Sequence, residues 1–181
     1  FACDPKSAAD VIQAVRRHSE PKMPIFAKLS PDVTDIVSIA ESVVRAGATG
    51  VSLINTLLGM VINPDTMRPH LAGVTGGLSG PAIRPVAVRC VWQVRKAFPD
   101  LPIIGMGGVR TGLDALEFIL AGANAVSVGT VVFHDPSAPM RWTNAGASFD
   151  DPSLPAGVDP LAAHVAAPAE LARRLTQIGV V

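Results

Sequence analysis

Residues 46–53 read AGATGVSL, and residues 121–128 read AGANAVSV. In both stretches an amphipathic helical pattern ends in Gly-Ala and leads into a short apolar run. Two copies of a helix-to-strand unit leave this kind of internal repeat in a sequence. The repeat therefore predicts an α/β fold in which helices alternate with strands.

Further short apolar runs and helical patterns extend this alternation along the chain. The predicted strands are 24–29 (PIFAKL), 50–54 (GVSLI), 101–106 (LPIIGM) and 125–128 (AVSV). The predicted helices are 5–18, 34–46, 81–98, one that follows the capping-box pair Thr111 and Asp114, and 169–178. Residues 56–80 form a long Gly- and Pro-rich loop, and loops of that length are usually functional or disordered.

This order of elements predicts a parallel sheet with right-handed crossovers. A (β/α)8 TIM barrel takes about 250 residues, so four strands make half of one. A doubly wound sheet is the competing architecture, but no G-x-G-x-x-G follows the first strand.

Composition limits the classes of function. The 181 residues are 49% hydrophobic and 17% charged, which predicts a folded core. Fifteen basic residues balance fifteen acidic ones, so no nucleic-acid partner is expected. With no long apolar run, no signal peptide and only two cysteines, the expected location is the cytoplasm, without a membrane anchor. Because the first residue is Phe, we expect the natural chain to begin upstream.

Polar residues at the strand ends are candidates for a binding site, because barrel sites lie at the carboxyl ends of strands. Lys28 lies in an apolar strand, where an ammonium group is either paired, functional or directed out at the strand end. Asn55 follows the second strand and either reads a planar amide or imide or starts a turn. Gly107-Gly108 and Gly129-Thr130 follow the last two strands and form either a phosphate site or tight turns.

Five motifs occur in an order and spacing that resemble one enzyme family. They are KLSPDVTDI (28–36), SLINTLLGM (52–60), TGGLSGPAIRPVA (75–87), IIGMGGV (103–109) and VSVGT (126–130). Over residues 1–136 the chain resembles class 1 dihydroorotate dehydrogenases of the soluble, NAD-linked 1B type. The resemblance implies the C-terminal half of an FMN-binding TIM barrel, strands 5–8, followed by an insertion-like loop at 137–167 and a final helix at 168–181.

The resemblance also implies roles for individual residues. Lys28 would contact the flavin ring and steady its reduced form, and Ile54 would pack against the flavin. Asn55 and Thr56 would bind the pyrimidine substrate. The remaining positions would hold FMN, the last four around its phosphate: Gly80, Gly107, Gly108, Gly129 and Thr130. No metal site is expected, since the four histidines lack ligand spacing. His134, just after the fourth strand, either approaches the phosphate or, as the favoured interpretation, lies on the surface.

The implied reaction is oxidation of dihydroorotate to orotate in the synthesis of UMP. A proton leaves one ring carbon, and a hydride passes from its neighbour to FMN. Electrons then pass to a partner subunit that carries FAD and an iron–sulfur cluster, and from there to NAD. The resemblance further implies a homo-oligomer.

Two departures from the family pattern affect these expectations. The family's catalytic base is a Cys in an N-x-S-C-P-N stretch, which is absent here and is expected upstream of Phe1. Cys3 aligns after that position, so the chain is expected to be inactive alone. Asp32 stands where the family usually has Asn.

Two other functions remain open at this point. A flavoprotein similar to dihydropyrimidine dehydrogenase shares the N-T pair and the first strand end, although the TGGLSGPAIRPVA and GMGG stretches favour the orotate enzyme. A non-catalytic half-barrel interaction module would also lack the base.

Overall fold

The structure is a computed structural model that describes residues 1–139. Its helices are α1 (Pro5–Arg17), α2 (Ile36–Arg45), α3 (Arg84–Ala97) and α4 (Gly112–Leu120), with short 3-10 helices at Pro81–Ile83 and Thr130–Phe133. Its strands are β1 (Phe26–Leu29), β2 (Gly50–Leu53), β3 (Leu57–Gly59), β4 (Ile62–Asn63), β5 (Arg68–Pro69), β6 (Gly76–Leu78), β7 (Ile103–Met106) and β8 (Ala125–Ser127).

The four predicted strands form one parallel sheet in the order β1-β2-β7-β8. This arrangement is part of a (β/α)8 barrel and confirms the predicted fold class. β1 and β7 begin later than expected, after Pro24 and Pro102, because proline has no N–H to donate to a ladder. The predicted helix at 81–98 begins with a 3-10 turn before α3. The predicted helix at 169–178 lies outside the described residues.

One face of the sheet packs against the helices and forms the core. Leu29, Leu53 and Ile103 are almost fully buried on this face. A side chain at Gly105 would place its Cβ 2.5 Å from the ring of Phe118, so only glycine lets α4 pack this closely. The opposite face, which is the inner side of a barrel, is more open: Phe26 is 42% exposed there, and Lys28 is exposed beside it.

The repeated sequence AGA has the same structural role at both positions. Gly47 and Gly122 adopt positive φ angles of 107° and 109° directly after α2 and α4. In each case the glycine N–H and the next N–H donate to carbonyls of the last helical turn, at 2.9–3.0 Å. This is the Schellman arrangement, which stops a helix at a glycine. The repeat in the sequence is therefore a repeat in structure.

Two arginines connect neighbouring helix-to-strand units at these glycines. Neither was predicted from the sequence. Arg16 at the end of α1 donates to the carbonyls of Met23 and Gly47. Arg95 near the end of α3 donates to the carbonyl of Gly122 and, at 2.7 Å, to Asn124 Oδ1. Each guanidinium thus ties its own helix to the next helix-to-strand turn.

The loop predicted at 56–80 contains more regular structure than expected. β3 pairs with β6, and β4 pairs with β5, both antiparallel. These strands have only two or three residues, too few for the alternation that identifies a strand in sequence. No helix among residues 1–139 is long and apolar enough to cross a membrane.

We expect Arg95→Ala to lower the free energy of unfolding by about 2–3 kcal/mol, because several carbonyls and Asn124 lose a charged donor. Arg89→Ala is the matched control, since Arg89 lies exposed on the same helix and contacts only Gln93. Its expected change is below about 0.5 kcal/mol. Urea denaturation measures both values, and equal changes for the two variants would contradict this role for Arg95.

Candidate functional site

A cavity of about 670 Å³ opens at the carboxyl ends of the parallel strands. All nine residues that the sequence analysis assigned to substrate or cofactor line this one cavity: Lys28, Ile54, Asn55, Thr56, Gly80, Gly107, Gly108, Gly129 and Thr130. They come from five separate segments of the chain. Parallel pairing brings these segments together, because all strand carboxyl ends then lie on the same edge of the sheet.

Backbone hydrogen bonds join the strand ends at the floor of the cavity. The Ile54 N–H donates to the Met106 carbonyl and the Asn55 N–H donates to the Leu29 carbonyl, both at 2.9 Å. The segment that follows β2 is therefore held between the ends of β1 and β7. This places Asn55 and Thr56 between Lys28 and the glycine turn after β7.

The cavity wall carries positive charge. Lys28, Arg110 and His134 line it, and none of the described lining residues is acidic. The Lys28 ammonium makes no hydrogen bond or ion pair with any other residue in 1–139, so its charge is available to a ligand. A concave surface with one sign of charge attracts ligands of the opposite sign. The cavity therefore suits an anionic ligand.

Glycine turns form one side of the cavity. Gly80, Gly107 and Gly108 have φ angles of 88°, 121° and 81°, a region that other residues rarely adopt. A Cβ at Gly108 would lie 2.7 Å from the Gly80 carbonyl oxygen. The two turns thus contact each other backbone to backbone, and the Thr130 hydroxyl lies 3.4 Å from that of Ser79 beside them.

The structure adds cavity residues that the sequence analysis missed. Ser79, Arg110 and Ser127 also line the cavity. Arg110 lies two residues after Gly108, so its closeness to a predicted anion site was the available signal. The two interpretations of His134 are compatible in the structure, because His134 is exposed and also lines the cavity.

Asp32, which replaces the family's usual Asn, contacts the segment after Thr56. Its carboxylate accepts the Leu58 N–H at 3.1 and 3.2 Å. Next to this contact, a Cβ at Gly77 would lie 2.2 Å from the Thr56 hydroxyl oxygen. Thr56 is therefore packed against Gly77 of β6, and Asp32 holds the backbone two residues further on.

Half of a (β/α)8 barrel with a cationic cavity at its strand ends places the chain among the TIM-barrel proteins. The family model described as dihydroorotate dehydrogenase matches residues 1–144. The chain belongs to this family.

Similar proteins carry the same family name. The chain is 56% identical over 141 residues to "Dihydroorotate dehydrogenase B (NAD(+)), catalytic subunit" of Citrifermentans bemidjiense, with 78% of this chain and 45% of that protein covered. The protein of that name from Geotalea daltonii is 57% identical over 138 residues, with 76% and 44% covered. The chain thus spans less than half the length of these relatives.

A solved structure has the same fold. The dihydroorotate dehydrogenase of Eimeria tenella, crystallised with ferulenol, superposes with a TM-score of 0.64 at 27% identity. The match covers 78% of this chain and 43% of that one.

We expect Gly108→Ala to lower the free energy of unfolding by about 2 kcal/mol or more, since a Cβ there meets backbone and the positive φ adds about 1 kcal/mol. Gly73→Ala is the control, because Gly73 has no positive φ and a Cβ there would make only an ordinary van der Waals contact, 3.6 Å from the Thr75 carbonyl oxygen. Urea denaturation compares the two. A Gly108→Ala variant as stable as Gly73→Ala would show that the turn is not held as described.

Proposed function

We propose that this chain supplies most of the FMN site and part of the pyrimidine site of a dihydroorotate dehydrogenase. The observation that supports this most directly is the convergence of nine residues from five motifs on one cavity whose described lining residues include no acid. Both expected ligands are anions, since FMN carries a phosphate and orotate a carboxylate. The family membership of the chain supports the same activity for the whole protein.

The residues present fit FMN. Gly107 and Gly108 form a positive-φ turn at the cavity wall, and Gly129, where the missing side chain leaves open space, also lines the cavity together with Thr130. Lys28 would place its unpaired ammonium near the flavin ring, and Ile54 and Gly80 would contact it. When bound, FMN accepts the hydride that leaves the substrate ring.

Asn55 and Thr56 would bind the pyrimidine. An Asn side chain both donates and accepts, which matches the alternating N–H and C=O groups of an imide. The contacts of Thr56 with Gly77 and of Leu58 with Asp32 hold this pair in place. The pair would thus orient the ring toward the flavin without taking part in proton transfer.

Neither Cys90 nor Cys3 suits the role of proton acceptor in the reaction. Cys90 is buried in α3, and burial raises the pKa of its thiol, so it is no candidate for a thiolate base. Cys3 is exposed and is not among the cavity residues. In this proposal the base is a Cys from the part of the relatives that this chain does not span, and the 181-residue chain alone does not turn over substrate.

The whole protein would act in UMP synthesis in the cytoplasm. Electrons would leave FMN for a partner subunit with FAD and an iron–sulfur cluster and then pass to NAD. The name "catalytic subunit" of the relatives supports a second subunit. Within the described residues β1 and β8 are unpaired edges of the sheet, which favours a homo-oligomer as well.

We expect the purified 181-residue chain to retain FMN after removal of excess cofactor, as measured by the flavin absorbance spectrum. Lys28→Ala should weaken binding by about tenfold, because the ring loses a nearby positive charge. Lys22→Ala, at an exposed lysine of the same sequence region, should bind as the parent chain does. A folded chain that retains no flavin would contradict an FMN site in this chain and favour the interaction module.

Orotate should bind the FMN-loaded chain more tightly than uracil, because the cavity is cationic and only orotate carries a carboxylate. The change in flavin absorbance on titration measures both affinities. Asn55→Ala should weaken orotate binding by about tenfold, and Asn63→Ala, in the β4–β5 hairpin outside the cavity, should not. A preference for uracil would support the function of dihydropyrimidine dehydrogenase instead.

A further inference from the structure

An ion pair lies directly behind the glycine turns, outside the cavity. Arg84 is the first residue of α3, and its guanidinium Nη1 donates to Asp114 Oδ1 in the first turn of α4. The Asp114 side chain is only 9% exposed, and that of Arg84 28%. The two helices that follow Gly80 and Gly108 are thus joined at their first turns by buried opposite charges.

Asp114 also binds the end of the turn that begins at Gly107. Its second oxygen, Oδ2, accepts the N–H groups of Arg110 and Thr111 at 2.9 and 3.0 Å. In return the Thr111 hydroxyl accepts the Asp114 N–H at 3.1 Å, which completes the capping box. One carboxylate therefore connects Arg84 to the backbone of the turn.

Arg84 contacts the middle of the same turn through its own backbone. A Cβ at Gly108 would lie 2.9 Å from both the Arg84 nitrogen and the Arg84 Cβ. The Arg84 Nε lies 3.1 Å from Glu117 Oε2, although its N–H is not aimed at that oxygen and makes no hydrogen bond within 1–139. Arg84 thus faces two carboxylates while its backbone supports Gly108.

The turn that Arg84 and Asp114 contact has backbone N–H groups that make no hydrogen bond to the described residues. Neither Gly107 nor Gly108 donates its N–H to another described residue. Successive free N–H groups in a positive-φ turn bind anions. An unpaired Asp114 carboxylate this close would repel such an anion, whereas its pairing with Arg84 removes most of that repulsion.

We propose that the Arg84–Asp114 pair is a positioning device for phosphate recognition, which sets the Gly107–Arg110 turn and neutralises the carboxylate behind it. This inference rests on the proposed function, in which the turn holds the FMN phosphate. Neither side chain touches the ligand, so both act through the backbone of the turn. The pair therefore affects affinity for the phosphate and not for the flavin ring.

The test compares FMN with riboflavin, which lacks the phosphate. Fluorescence titration of the 181-residue chain gives both dissociation constants. The riboflavin dissociation constant divided by the FMN dissociation constant measures phosphate recognition. Asp114→Asn and Arg84→Gln should each lower this ratio by about tenfold, with riboflavin affinity changed by less than about twofold. The double variant should lose less than the product of the two single losses, because the partners act as a unit.

Two further variants separate positioning from general stability. Asp114→Glu retains a carboxylate at the capping-box position and should keep more of the ratio than Asp114→Asn. Glu41→Gln removes a carboxylate from the exposed Arg45–Glu41 pair on α2 and should leave the ratio unchanged. Circular dichroism gives the folded fraction of every variant, so that dissociation constants refer to folded chain.

Other outcomes would contradict either the inference alone or the phosphate site of the proposed function. If FMN and riboflavin affinities fall in parallel, or the ratio does not change, the pair is merely structural and the inference is wrong, while the proposed function stands. If the parent chain has no preference for FMN over riboflavin, or binds neither, the phosphate site of the proposed function is wrong and the inference fails with it.

Discussion

The hydrogen bonds from Ile54 to Met106 and from Asn55 to Leu29 join the ends of three parallel strands. The position of every other part of the site depends on this junction. Because the strands are parallel, the residues that follow them must lie on one edge of the sheet, and the junction fixes their spacing. Lys28, the Asn55-Thr56 pair and the glycine turn after β7 consequently line one cavity.

The opposite edge of the sheet has a different role. There, Gly47 and Gly122 end their helices, and Arg16 and Arg95 bind the carbonyls of those glycines. Each guanidinium makes four hydrogen bonds, all to backbone carbonyls except the bond from Arg95 to Asn124, so these two cations serve the fold and not a ligand. Stability contacts thus concentrate at the amino ends of the strands, and binding residues at the carboxyl ends, as is usual for TIM barrels.

Basic and acidic side chains occupy different positions around the cavity. The lining residues include cations and no acids within the described part of the chain, whereas acidic side chains lie one layer behind. Asp114 is one of these, and its burial is tolerated because Arg84 and two backbone N–H groups satisfy its oxygens. Removing one partner would leave the other charge buried and unpaired, so the two residues are expected to depend on each other.

The resemblance of five motifs to a known family predicted Ile54, Thr56 and Gly80 as site residues. The sequence by itself also determined the alternating helices and strands and the Gly47 and Thr111 helix ends. These features follow from local patterns, since period, capping and glycine turns involve residues within a few positions of each other. Only the tertiary structure decided that Arg84 pairs with Asp114, 30 positions away, and that Arg95 reaches Asn124. It also decided that His134 lines the cavity and that residues 57–78 contain paired strands. Such contacts join distant segments through the packing of the sheet and helices, so no local pattern in the sequence predicts them.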